Sequence, residues 1–294
     1  MKRITSFVAT LTLILTGIAF AGDRPMTIDA FLDPGGRTLV IAHRGFSGRA
    51  PENTVAAISE AIAIGADMAE IDVTLTADER VVIIHDETLQ RTTNGGGNVS
   101  EQDFDEIRSL DAGSWFAPQF AGEKVPTLGE VLDTTKGQIL LNVEIKTEAV
   151  DRGISDKVAA AIKERGMTDQ VIVSSFSPTA LEQMHAVAPE IRTAVLYNKE
   201  LQRGQDPVEI VSGLGASAFN IRGSRLKAKM LRSCRKHGIP VGVYTVDKPK
   251  KMRRWVKKEI AAIFTNHPDR LIEVLKEVPA PLPSPNLVPT TAWP

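Results

Sequence analysis

Five residues, "TADER", are all that separate the apolar run Met68–Leu75 from the next one, Val81–His85. Parallel strands need a crossover of about a dozen residues or more, so this link commits the two runs to an antiparallel hairpin. That single connection decides how the remaining strands count. Seven further β-rich runs are present: Thr38–Ala42, Ile139–Ile145, Val171–Ser174, Thr193–Leu196, Ala216–Ile221, Pro240–Val246 and Ala261–Phe264. Helical periodicity alternates with them, most clearly over Thr54–Ile64, Ser155–Arg165, Pro178–Ala188 and Arg225–His237. Strands alternating with helices imply βαβ units and a parallel sheet. With Val81–His85 set aside as a hairpin arm, eight strands remain, the number that closes a TIM-type (β/α)8 barrel. A doubly wound open sheet is the competing arrangement. The segment Glu87–Val125 lacks the rhythm, and its "TTNGGGN" and "AGSWFAPQFAGEK" clusters predict an insertion of loops and short helices.

The two ends of the chain read differently from its middle. Residues 1–21 carry Lys2 and Arg3, an apolar run from Ile4 to Phe20, and the small-x-small sequence Ala19-Phe20-Ala21. This predicts a secretory signal peptide, with an uncleaved anchor as the alternative that the short run disfavours. The expected product is an exported domain over 22–278, periplasmic or secreted, with no stable membrane insertion once the leader is removed. One cysteine, Cys234, excludes an internal disulfide framework. A formal net charge of −1 argues against nucleic acid as a partner. Residues 279–294 belong to a proline-rich, uncharged stretch that predicts a disordered tail. The basic run "KPKKMRRWVKK", Lys248–Lys258, predicts a solvated helix face, with contact to anionic lipid headgroups as the alternative.

Barrel enzymes carry their chemistry at the C-terminal ends of the strands. Here those ends hold His43-Arg44, Glu70-x-Asp72, Glu144-x-Lys146 and, on the hairpin arm, His85-Asp86. Alternate residues of a strand face the same way, so Glu70 and Asp72 point together, as do Asn142, Glu144 and Lys146. Inward carboxylates are costly unless neutralised. Glu70, Asp72 and Glu144 could share a hard divalent cation, Ca²⁺ or Mg²⁺, or could pair with Arg44 and Lys146.

The stretches "IAHRGFSGRAPENT", "AEIDVTLTADERVVIIHDETLQRTT", "LLNVEIK", "VGVYTVD" and "AAIFTNHPDRL" resemble, in order and spacing, the glycerophosphodiester phosphodiesterase family. The resemblance runs from about Thr38 to Leu275. It implies a (β/α)8 barrel with a subdomain inserted after the His-Asp motif, in agreement with the segment 87–125. It also implies metal-dependent hydrolysis of a small glycerophosphodiester to an alcohol and glycerol 3-phosphate. By motif, His43 and His85 would be the general acid/base pair. Glu70, Asp72 and Glu144 would hold the metal, Arg44 would grip the phosphate, and Lys146 would be a second phosphate contact. Glu52 would lie at the edge of the metal site. The resemblance further implies attack by the substrate's own glycerol hydroxyl, giving a cyclic phosphate that water then opens.

These residue types suit that chemistry. A phosphodiester gains negative charge on the way to its transition state, and cations placed around it stabilise that charge. Arginine can bond two phosphate oxygens at once, and histidine titrates near neutrality, where it can take or give a proton. Gly45 allows a tight turn after the first strand, and Asn53 or Thr54 is expected to be a plain helix cap. Two positions depart from the family's pattern. Tyr244 stands where tryptophan is frequent and is expected to line the pocket. Asp247 stands where asparagine is frequent and is expected to bring negative charge near an anionic substrate. Trp115 and Phe116 would either cover bound substrate or form a local core under the insertion. His185, His237 and His267 are read as bystanders. Two competing functions remain: a phospholipase D-type enzyme acting on lysophospholipids or sphingomyelin, which needs an exposed apolar rim, and a binding protein without turnover.

Overall fold

A computed structural model describes residues 27–33 and 37–278. The signal peptide expected over 1–21 and the tail expected over 279–294 lie outside the described residues. Among the described residues no helix is long and apolar enough to cross a membrane.

Among the described residues nine strands form, each within a few residues of its expected place: β1 Leu39–Ala42, β2 Met68–Leu75, β3 Val81–Ile83, β4 Leu140–Ile145, β5 Val171–Ser175, β6 Thr193–Leu196, β7 Ala218–Arg222, β8 Val241–Tyr244 and β9 Ala262–Thr265. Eight run parallel in the order β1-β9-β8-β7-β6-β5-β4-β2, and β1 pairs with β2 to close the ring. That closure excludes the open sheet and makes the fold a TIM barrel. β3 returns antiparallel on β2, with Val73 opposite Ile83 and Leu75 opposite Val81, as the five-residue link requires.

Strand alternation sorts the side chains into two apolar layers. Val40, Ala69, Ile71, Val73, Leu141, Val143 and Ile145 face outward and pack against the surrounding helices. Leu39, Ile41, Met68, Leu140, Ile172 and Phe264 face the barrel axis. The short helix Ile28–Phe31 joins this inner cluster, where burying Ile28 and Phe31 stabilises the fold by roughly 1.5–3 kcal/mol each relative to exposure. Since Met68 and Leu140 point inward, so must Glu70, Asp72, Asn142 and Glu144 two and four residues later. The barrel interior is therefore apolar at one end and charged at the other.

The segment 87–125 forms the helix Phe104–Ser109 and short 3-10 turns over Val99–Glu101 and Pro118–Phe120. It has a small core of its own, built from Leu89, Val99, Ile107, Ala112 and Val125 packed on Val82 and Ile84.

Candidate active site

His43 follows directly on β1, its backbone N–H donating to Thr265 O at 3.0 Å. Its Nδ1 lies 2.7 Å from Asn266 Oδ1. Asn266 in turn donates through its Nδ2 and its backbone N–H to the carboxylate of Asp247, at 3.1 and 2.9 Å. With Nδ2 so occupied, Oδ1 is the acceptor and His43 Nδ1 must carry the hydrogen, as the hydrogen-bond network assigns it. The unprotonated Nε2 then faces Glu70, 4.0 Å from Oε2. Burial, reinforced by the charge of Arg44, lowers the His43 pKa to about 4, so the ring is a neutral proton acceptor.

Three carboxylates stand beside it. The parallel register sets Asp72 opposite Glu144, on adjacent strands, and oxygens of Glu70, Asp72 and Glu144 all lie within 4.8 Å of one another. Burial, and then the neighbouring charge of Asp72, raises Glu70 well above the ordinary carboxylate range and Glu144 to about 7. For Asp72 burial acts in the same upward direction, but Lys146 and Arg44 outweigh it and hold the carboxyl below its ordinary value. Lys146 Nζ lies 3.2 Å from Glu144 and 3.6 Å from Asp72, and Arg44 Nε lies 3.4 Å from Asp72. The protein's own cations thus satisfy Asp72 and leave Glu70 and Glu144 reluctant to ionise. Three carboxylates with only two cations of the chain beside them form an all-oxygen donor set that fits a hard divalent cation such as Ca²⁺ or Mg²⁺, whose charge would favour their ionised forms.

A chain of ion pairs connects this cluster to His85. Arg44 Nη1 bonds Glu52 at 2.6 Å, and Arg91 reaches both oxygens of Glu52 at 2.8 Å. Arg91 also holds Asp86 through Nε at 2.5 Å and Nη2 at 3.0 Å, and Asp86 Oδ1 lies 2.6 Å from His85 Nδ1. Glu52, expected at the metal edge, is outside the three-carboxylate cluster and is gripped by two guanidinium groups. Arg91 was not singled out by sequence; its signal is its place five residues after Asp86 in "HDETLQR".

Local backbone geometry serves the same purpose. Arg44 adopts φ 58°, which turns its backbone N–H onto Glu70 Oε2 at 2.8 Å. Asn53, at φ 59°, is no helix cap. Its Nδ2 donates to Asp72 Oδ2 at 2.9 Å, and its Oδ1 accepts from Asp72 N at 3.3 Å. Thr54 alone caps the helix Val55–Ile64, its side chain accepting from Ala57 N. Such conformations cost about 1–3 kcal/mol in non-glycine residues and gather at functional sites.

A cavity of about 660 Å³ opens over these groups, lined by His43, Arg44, Glu70, His85, Glu144 and Tyr244 among others. Asp72 is fully buried beneath it. Tyr244 stands edge-on to Phe176 and Phe264. Asp247 does not face the cavity chemistry as expected; Asn266 and Thr265 absorb its charge through hydrogen bonds. Trp115 and Phe116 do not line the cavity. They pack edge-to-face on each other, with Trp115 Nε1 donating to Ala112 O. Trp115 and Leu201, the exposed large hydrophobic residues among those described, do not line the cavity; its apolar lining comes from Phe176, Leu196, Trp255 and Phe264. His237 closes a helix by bonding Ser233 O, away from the chemistry.

A closed barrel with buried carboxylates, two histidines and guanidinium groups around one cavity defines a class, the barrel hydrolases of phosphate esters. The chain belongs to the glycerophosphoryl diester phosphodiesterase family, whose sequence profile matches residues 43–270. It is 39% identical over 243 residues to a glycerophosphodiester phosphodiesterase of Caldanaerobacter subterraneus subsp. tengcongensis, covering 82% of this chain and 99% of that one. It is also similar to the crystal structure of a glycerophosphodiester phosphodiesterase from Agrobacterium tumefaciens, at TM-score 0.71 and 32% identity, covering 80% of this chain and 99% of that one. A further similar structure is an Oleispira antarctica phosphodiesterase in complex with its product sn-glycerol-3-phosphate, at TM-score 0.74 and 29% identity, covering 82% and 97% of the two chains. The chain is a glycerophosphodiester phosphodiesterase.

Proposed function

We propose that this enzyme hydrolyses glycerophosphodiesters to an alcohol and sn-glycerol 3-phosphate, with a divalent cation held by Glu70, Asp72 and Glu144 and with His43 and His85 moving the protons. The observation that carries this reading is the setting of His43: Asn266 holds its Nδ1 at 2.7 Å, and its Nε2 faces Glu70 of the carboxylate cluster at 4.0 Å. When bound, the cation would withdraw charge from the phosphate oxygens and so ease the build-up of negative charge.

The chain's own groups do the rest. Nε2 of His43 accepts the proton of the substrate's glycerol 2-hydroxyl, whose oxygen then attacks phosphorus. The bond from phosphorus to the alcohol oxygen breaks, and His85, its Nδ1 held 2.6 Å from the carboxylate of Asp86, donates a proton to that oxygen. Water opens the resulting cyclic ester with the two roles reversed. Arg44, which lines the cavity, would bind the phosphate, and Lys146 would add a second positive charge nearby. The leader read over residues 1–21 further suggests that the enzyme works in the periplasm or outside the cell.

The test is release of glycerol 3-phosphate from glycerophosphocholine, with Ca²⁺, with Mg²⁺ and after chelation. Release that depends on the cation and vanishes in His43→Ala supports the reading. Release of choline phosphate instead of glycerol 3-phosphate would sink it.

A further inference from the structure

Across the barrel mouth from the carboxylates, the cavity wall changes sign. In the ring order β7 stands diametrically opposite β2, and β8 opposite β4. Arg222 ends β7, Arg225 follows in the next loop, and Lys251 and Arg254 come from the helix Pro249–Val256 after β8. All four line the cavity, and none of the four forms an ion pair with a carboxylate among the described residues. The basic run expected to be a plain solvated face therefore turns part of itself into the site. The wall is closely packed: a Cβ at Gly223 would stand 3.2 Å from Trp255 Nε1. Arg254 and Lys258 each lie 5.3 Å from the Trp255 ring centre.

Four like charges on one wall repel one another, and an anion between them relieves that repulsion. We propose that this wall binds a second negative charge on the substrate, so that the preferred diesters carry an anionic alcohol. The inference rests on the hydrolytic reading above. Glycerol is uncharged, so the alcohol is the one substituent able to bring a carboxylate or phosphate to this wall. Arginine's planar fork matches either group. A quaternary ammonium headgroup would meet the opposite of what it needs. Such a cation seeks an open aromatic face, yet the Trp255 ring is already attended by two cations, and Tyr244 is packed between Phe176 and Phe264.

The experiment measures initial rates of glycerol 3-phosphate release by the purified enzyme from three diesters, whose alcohols are choline, glycolate and 2-phosphoethanol. We expect kcat/KM for the two anionic alcohols to exceed that for choline about tenfold at low salt, carried by KM, and to fall toward it near about 0.5 M salt, where the screening length is a few ångströms. In Arg222→Gln/Arg254→Gln, with an unchanged melting temperature, this ratio collapses toward one, and Arg222→Lys/Arg254→Lys restores part of it. Equal rates for all three diesters, or a ratio unchanged in the Gln variant, overturn the inference while leaving the hydrolytic reading intact. Failure to release glycerol 3-phosphate from any diester overturns that reading instead. Loss of binding to vesicles with about a third anionic lipid, at an unchanged ratio, would make the wall a membrane-facing surface and overturn the proposal too.

Discussion

His43 and Asn266, 223 positions apart in the chain, meet at 2.7 Å, and their contact decides which nitrogen of the imidazole is free. Asn266 has its own anchor in Asp247, so the orientation of the ring is set by a side chain two contacts away. Asn266→Ala should leave KM nearly unchanged and lower kcat by roughly 10–100-fold, part of the 10²–10⁴ that a positioned base supplies. Steady-state kinetics alongside a melting curve separates this from unfolding; a kcat within twofold of the parent would refute the positioning role.

Arg91 is the hinge of a second such chain, holding Glu52 on one side and Asp86 on the other. Arg91→Lys keeps the charge but cannot reach both carboxylates with paired donors. The expected outcome is a loss of about tenfold in kcat/KM, with little change in melting temperature because the side chain is 44% exposed. A large fall in stability with unchanged kinetics would show the residue to be structural only.

Glu144 supplies a dependence on pH and cation together. Its folded pKa, about 7, stands above the ordinary 4.5. Folding therefore favours the protonated carboxyl: this contribution to stability is full below about 4.5 and disappears as pH rises through about 7. Cation binding needs the ionised form and reverses the penalty. Calcium or magnesium should consequently raise the melting temperature more at pH 8 than at pH 6, and binding at pH 6 should release protons. Equal thermal shifts at both pH values would count against ligation by Glu144.

Gly45 has almost no room. Its φ is +74°, and a Cβ there would stand 2.6 Å from the carbonyl carbon of Ala57. Gly45→Ala is expected to destabilise the protein by about 2–4 kcal/mol through backbone strain and overpacking. Urea denaturation measures this directly, and a change under 0.5 kcal/mol would show that the turn relaxes at little cost.

Much of this was legible beforehand because it depends on local rules. Five residues between two runs fixed the hairpin, and strand parity alone turned Glu70, Asp72 and Glu144 toward one another. The supporting residues were not legible. Asn53 looked like a cap because a polar residue before a helix usually is one, while its actual partner, Asp72, is visible only once β2 lies beside the turn. Asp247 looked like a charge aimed at substrate, but the stretch after β9 brings Asn266 to hydrogen-bond its carboxylate. Arg91 sits in a loop without periodicity, where spacing carries no information about contacts.

The seam of the barrel lies between β1 and β9, the earliest and latest strands to leave the ribosome. His43 is on one side of that seam and Asn266 on the other. An unfinished chain, or one nicked before its last strand docks, would hold an imidazole with no preferred orientation. With His43 as the proposed base, such a chain would lack the oriented imidazole that hydrolysis requires.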